Sequence, residues 1–180
     1  MNDWIKNAYS ESCISKEDEM FLFNIMNEGV KSELDDDFQP KKHISLSSLK
    51  RIQITNDIIN KYKEKYPGLK HVRCEDTDTY KCDGYMWLSG TDLACNVGTC
   101  EYLDDGTKWI VSLDVDGEYR GHGLSKQILD FAVKRLNCKY LSVNKNNKLA
   151  KKIYDDYGFK VYQQDDNMYY MTLEKHPVKS

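Results

Sequence analysis

Leu113-Asp114-Val115-Asp116-Gly117-Glu118-Tyr119-Arg120-Gly121-His122-Gly123-Leu124-Ser125 decides the fold. The hydrophobic run Trp109-Ile110-Val111-Ser112-Leu113 enters this stretch. An amphipathic segment, about Gly121 to Asn137, leaves it and predicts a helix. Strand, glycine turn and helix together make an anion site. Glycine lets the backbone approach an anion closely, and the first N–H groups of a helix have no partner inside it. The helix dipole adds partial positive charge at the same end. The stretch therefore reads as a cradle for a pyrophosphate.

Upstream of the cradle the period is two. Tyr85-Met86-Trp87-Leu88 predicts a strand, Gly90-Thr91-Asp92 a turn, and Leu93 to Leu103 a second strand. Asp104-Asp105-Gly106 is a hairpin turn, and Lys108 to Val115 the third strand. An antiparallel meander thus feeds the glycine turn. Downstream, Lys139 to Val143 predicts a strand, and Asn146 or Asn147 opens a helix that Gly158 ends. Phe159 to Gln163 and Met168 to Leu173 predict a closing hairpin around Asp165-Asp166-Asn167. In the first third, Ser15-Lys16-Glu17-Asp18 caps a helix expected from about Lys16 to Glu33. Asp35-Asp36-Asp37 reads as a loop, and Ile44 to Leu49 as strand or loop. Thr55 or Asn56 caps a second helix that Pro67-Gly68 ends. The fold class that follows is α/β, a mixed sheet with flanking helices. One domain spans 1–180, divided into a variable helical part, 1–80, and a core, 80–175.

Composition narrows the function. The chain has 180 residues, 40% hydrophobic and 31% charged, which suits one ordinary globular domain. A net charge of −3 argues against a nucleic-acid surface and is compatible with a cationic substrate. No apolar run approaches a membrane span, and Met1 to Lys6 lacks signal-peptide features, so a cytoplasmic location is expected. The six cysteines (Cys13, Cys74, Cys82, Cys95, Cys100 and Cys138) form no C-x-x-C pair, so no metal site and only free thiols are expected.

A second motif stands thirty residues beyond the first, from Asn147-Lys148-Leu149-Ala150 through Tyr154 to Gly158-Phe159. The pair resembles the GCN5-related N-acetyltransferase (GNAT) family. That family carries Gln/Arg-x-x-Gly-x-Gly/Ala before one helix and Asn-x-x-Ala-x-x-x-Tyr-x-x-x-Gly-Phe on the next. The first motif is read here as Glu118 to Gly123, with Glu118 a departure from Gln or Arg. The resemblance covers about residues 108 to 174 and sharpens the fold to a mostly antiparallel acetyltransferase sheet. It implies acetyl-CoA as donor and a small-molecule or peptide amine as acceptor, joined by direct attack through a tetrahedral intermediate. The cofactor residues it implies are Leu113, Val115, Tyr119, Arg120, Gly121, His122, Gly123, Leu124, Ser125, Asn147 and Tyr154. Tyr154 would protonate the leaving thiolate. The strand position where several members carry a basic Glu holds Ser142, so Glu101, Asp114 or a water chain is left as the base. A second reading keeps the fold and the CoA site without catalysis, as a regulatory module. Edge strands leave room for a homodimer.

Overall fold

The computed structural model describes residues 41–72 and 75–175. The helix expected over 16–33 and the acidic triplet at 35–37 lie outside the described residues. The described chain divides into two compact units, one of residues 39–140 and one that holds 141–175. The fold class is the expected one: α/β, its strands those of a mixed, mostly antiparallel sheet.

In the larger unit a 3-10 turn, Leu46–Ser48, leads into β1, Lys50–Gln53. Helix α1, Asn56–Tyr62, follows, capped by Thr55 Oγ1, which accepts from the Ile58 N–H at 3.3 Å. The short helix α2 spans Leu69–Val72. The meander is β2, Tyr80–Ser89, β3, Asp92–Tyr102, and β4, Lys108–Val115. These strands lie in the order β1-β2-β3-β4, each antiparallel to its neighbour. Helix α3, Leu124–Lys134, closes the unit. It is shorter than its amphipathic pattern, because the chain unwinds through Asn137 at φ 59°.

Strand alternation assigns the two faces of this sheet. Tyr85 and Trp87 point to α3, where the Phe131 ring meets them edge-on at 5.3 and 5.1 Å. Met86 and Leu88 point the other way and pack with Ile54, Leu69 and Val72 under α1 and α2. On that second face α2 sits so close to β3 that a Cβ on Gly98 would stand 2.0 Å from the Val72 carbonyl oxygen. Only glycine fits there.

In the smaller unit β5, Tyr140–Asn144, leads through Asn147 to α4, Lys148–Tyr157. Gly158 ends α4 and donates to the Tyr154 and Asp155 carbonyls. The hairpin β6, Lys160–Gln164, and β7, Met168–Thr172, is antiparallel, and β7 lies between β5 and β6. Phe159 is fully buried.

The expectation of free thiols throughout is corrected at one position: Cys82 is disulfide-bonded. Compartment reasoning speaks to redox balance and says nothing of which sulfurs the fold brings together. Cys95, Cys100 and Cys138 are free and buried, and burial pushes each thiol up to about 12. They are not thiolates near neutral pH. Among the described residues no helix is long and apolar enough to cross a membrane.

The Gly98 contact predicts a sharp contrast. Gly98→Ala should cost about 1–3 kcal/mol or more, as overpacking does. Gly68→Ala, whose added carbon meets nothing within 4 Å, should stay within about 0.5 kcal/mol. Urea unfolding of the two variants checks it, and equal midpoints would contradict the packing of α2 on β3.

Candidate functional site

The turn after β4 is built by its own short-range bonds. Asp116 caps a 3-10 turn, Gly117–Tyr119, by accepting from the Glu118 N–H at 3.2 Å. Arg120 then folds back onto the strand end, its Nε donating to the Val115 carbonyl at 2.9 Å. Its Nη2 stands 3.8 Å from Asp114 Oδ1. The guanidinium thus braces the turn. Gly121 and Gly123 have φ of 80° and 83°, which a side chain would resist. Gly123 is the N-cap of α3 and brings no side-chain cap. Among the described residues the N–H groups of Gly121, His122 and Gly123 make no hydrogen bond. Leu124 is buried behind them and Ser125 is half-buried. Glycine conformation, open donors and helix dipole therefore coincide at one place, which suits an anion.

A distant segment holds this turn in shape. Ile44 N–H donates to the His122 carbonyl at 3.0 Å, and His122 Nδ1 donates to the Lys42 carbonyl. Gln127, one turn into α3, accepts from Leu46 N–H at 2.7 Å through Oε1. Its Nε2 donates to the Ile44 carbonyl at 2.7 Å and to the Gly123 carbonyl at 3.2 Å. The His43 ring lies against Gly123, 3.1 Å from where a Cβ would stand. Sequence reasoning missed this clamp. A glutamine inside a helix has no local signature, and its partners are about eighty residues away.

Strand β4 carries an irregularity just before the turn. Gly98 pairs with Ser112 while Thr99 pairs with Ile110, so Val111 is an extra residue on β4. Val111 is exposed. Bulges of this kind bend a strand and re-aim the groups after it, here Leu113, Asp114 and Val115. Leu113 and Val115 pair with Val97 and Cys95, on the α3 face. Asp114 pairs with Asn96, which pairs with Met86, so Asp114 lies on the α1–α2 face. Burial raises the Asp114 carboxyl above the ordinary carboxylate range, and Arg120 only partly opposes it.

The two candidate bases are not brought together. Glu101 pairs with Lys108 at the far end of β3 and holds its ammonium at 3.3 Å. Glu101 lies five strand steps from Asn96, the partner of Asp114, a span of about 17 Å.

In the smaller unit Asn147 is first of all a helix cap. Its Oδ1 accepts from the Ala150 N–H at 3.0 Å, and the side chain is buried. Tyr154, two turns on, is also buried and meets Phe159 edge-on with ring centroids 6.1 Å apart. Burial pushes its phenol up to about 12, so it holds its proton throughout the neutral range. Complete transfer to a thiolate of ordinary pKa near 8.5 is therefore uphill by roughly 5 kcal/mol, more than an unperturbed phenol would require. Ser142 is half-buried on β5.

Residues 88–172 match the family model of the acetyltransferase (GNAT) domain. No curated protein matches the sequence. Among solved structures the chain is similar to the ribosomal-protein-S18-alanine N-acetyltransferase of Escherichia coli, at 16% identity and a TM-score of 0.50. That match covers 69% of this chain and 92% of the other. It is similar to NAA60 of Arabidopsis thaliana in complex with a bisubstrate analogue, at 14% identity and a TM-score of 0.50, covering 68% and 96%. The N-acetyltransferase PseH of Campylobacter jejuni, in complex with acetyl coenzyme A, matches at 18% identity and a TM-score of 0.46, covering 71% and 99%. At these identities the first two likenesses show the fold.

The clamp predicts a local effect. Gln127→Leu should lower stability by about 1–2 kcal/mol through the hydrogen bonds it removes. Amide exchange at Ile44 and Leu46 should accelerate together, because both N–H groups hold the segment to the turn. Hydrogen exchange by NMR reads this, and unchanged protection at both sites would remove Gln127 from that role.

Proposed function

The chain belongs, over residues 88–172, to the acetyltransferase (GNAT) family, and we propose on that premise that it moves an acetyl group from acetyl-CoA to a primary amine. The observation that carries the reading is the uncapped start of α3. Two left-handed glycines precede it, and their N–H groups find no acceptor among the described residues. A pyrophosphate supplies what that turn lacks.

The roles follow from the side chains and backbone already described. The N–H groups of Gly121, His122, Gly123, Leu124 and Ser125 hold the donor's phosphates. Tyr119 and Arg120 shape the turn, and Arg120 does so through Val115. We place the first motif at Arg120-x-x-Gly123-x-Ser125, two residues later than the sequence reading had it. Arginine then takes the first position, the N-cap glycine the fourth, and the awkward Glu118 drops out. Backbone groups of Leu113 to Val115, re-aimed by the bulge at Val111, serve the pantetheine arm and the thioester carbonyl. A preorganised backbone donor there is worth a few kcal/mol in the transition state.

The chemistry is direct attack of the amine on the thioester, through a tetrahedral intermediate. Asp114 is the better base of the two acids, because burial strengthens it and Glu101 is committed to Lys108. Tyr154 keeps its proton at neutral pH and serves the departing sulfur as a hydrogen-bond donor, with proton transfer coupled to collapse of the intermediate. Asn147 steadies the start of the helix that carries Tyr154.

Thermal melting tests the donor first. At a hundred times its Kd, acetyl-CoA should stabilise the fold by about 2.7 kcal/mol, as should CoA, while ATP should add little. No shift at millimolar acetyl-CoA would end the enzyme reading. For a turned-over amine, Tyr154→Phe should lower kcat by roughly a hundredfold and leave CoA affinity nearly intact. Unchanged kcat would take the acid role from Tyr154.

A further inference from the structure

We propose that Asn96 and Asp114 form the seat of the acceptor's head group, a cationic primary amine docked on the α1–α2 face of β3 and β4. The proposal rests on the donor reading above and assigns the acceptor side of the same reaction.

Asn96 stands in the middle of an 11-residue strand and is 7% exposed. Its Oδ1 is buried, with no hydrogen-bond partner among the described residues. An unsatisfied buried polar atom costs about 1–3 kcal/mol. On the β2 side its opposite number is apolar: Met86, which packs with Ile54, Leu69 and Val72. An aliphatic side chain of similar size would fill the place without that cost. What the site lacks is a hydrogen-bond donor.

Asp114 is the cross-strand neighbour of Asn96 on the same face. Paired positions of this kind hold their Cβ atoms about 4.5–5.5 Å apart. Its side chain is 45% exposed, so the carboxylate edge meets solvent while Asn96 lies deeper. Arg120 braces it from the turn at 3.8 Å, longer than a hydrogen bond. The buried Asn96 oxygen and the Asp114 carboxylate beside it are both acceptors. A primary ammonium answers both, with three N–H donors and a positive charge. A phosphate, a carboxylate or a thiol would not.

The position also suits the reaction. Asp114 lies between Leu113 and Val115, whose backbone serves the thioester. Asp114 accepts the proton that the ammonium must lose. The nitrogen lone pair then forms the C–N bond at the thioester carbonyl and the C–S bond breaks; the second proton that the nitrogen sheds balances the one the departing sulfur takes up, so coenzyme A leaves as the thiol. The raised carboxyl makes Asp114 a stronger base than an ordinary aspartate. Asn96 is a binding residue: it holds the nitrogen while its charge changes.

The test is CoA release from saturating acetyl-CoA, with cadaverine and tetra-alanine as probes. Both are primary amines of the stated charge. Asn96→Leu should raise the amine KM about tenfold, the worth of one hydrogen bond to a charged group. The KM for acetyl-CoA should stay within about twofold, and the melting temperature without ligand should hold or rise. Asp114→Asn should raise the amine KM and lower kcat together. An unmoved amine KM in Asn96→Leu would overturn the proposal. So would a variant that loses stability and both affinities alike, because that marks a structural amide. If acetyl-CoA stabilises the wild-type chain but neither amine is turned over, this seat fails and the donor reading stands. If acetyl-CoA gives no stabilisation, the donor reading fails and takes this proposal with it.

Discussion

A helix start left without a cap is the constraint on which the site depends. The first N–H groups of α3 point away from every acceptor in the helix, and Gly123 brings no side chain to meet them. Most helices answer this with a Ser, Thr, Asp or Asn at the N-cap. Asn147 does so for α4 and Thr55 for α1. The exception at α3 is held in place by work done elsewhere. Arg120 ties the turn to the end of β4, and Gln127 ties it to Ile44 and Leu46. The donors are thereby fixed without an acceptor among the described residues, which is the condition of a preorganised anion site.

The same economy appears on β3 and β4. Gly98 gives up its side chain so that the backbone of α2 can lie on the sheet. Two residues back along β3, Asn96 keeps an oxygen that no group among the described residues satisfies. One face of the strand pair thus carries tight apolar packing and, beside it, the unsatisfied oxygen of Asn96 and the carboxylate of Asp114. Asp114 reaches that face because the pairing places it opposite Asn96 rather than opposite Cys95.

The meander was legible because its signals are local. Alternation ran from Tyr85 to Val115, and Asp104-Asp105-Gly106 marked the hairpin. The helix over 148–157 was legible from its cap and from Gly158. Strand β1 was not, because three of its four residues are exposed and nothing in Lys50-Arg51-Ile52-Gln53 alternates strongly. The glycine turn was legible, and the structure adds where the helix after it begins. Glu118 and Arg120 both precede a glycine by three residues, and only the helix start at Leu124 separates them. Gln127 and Asn96 were invisible for a deeper reason. Each is a polar residue inside a regular element, and its meaning lies in partners far along the chain or in the want of any. Glu101 and Asp114 looked equivalent in sequence until strand pairing placed them about 17 Å apart.

The most direct measurement is an amide NMR titration of the uniformly nitrogen-15-labelled chain with CoA. The account predicts the largest shifts at Gly121, His122, Gly123, Leu124 and Ser125, with a second group at Leu113 to Val115. Saturable binding that leaves those amides unmoved, or moves a different surface, would contradict the claim that the uncapped start of α3 is the donor site.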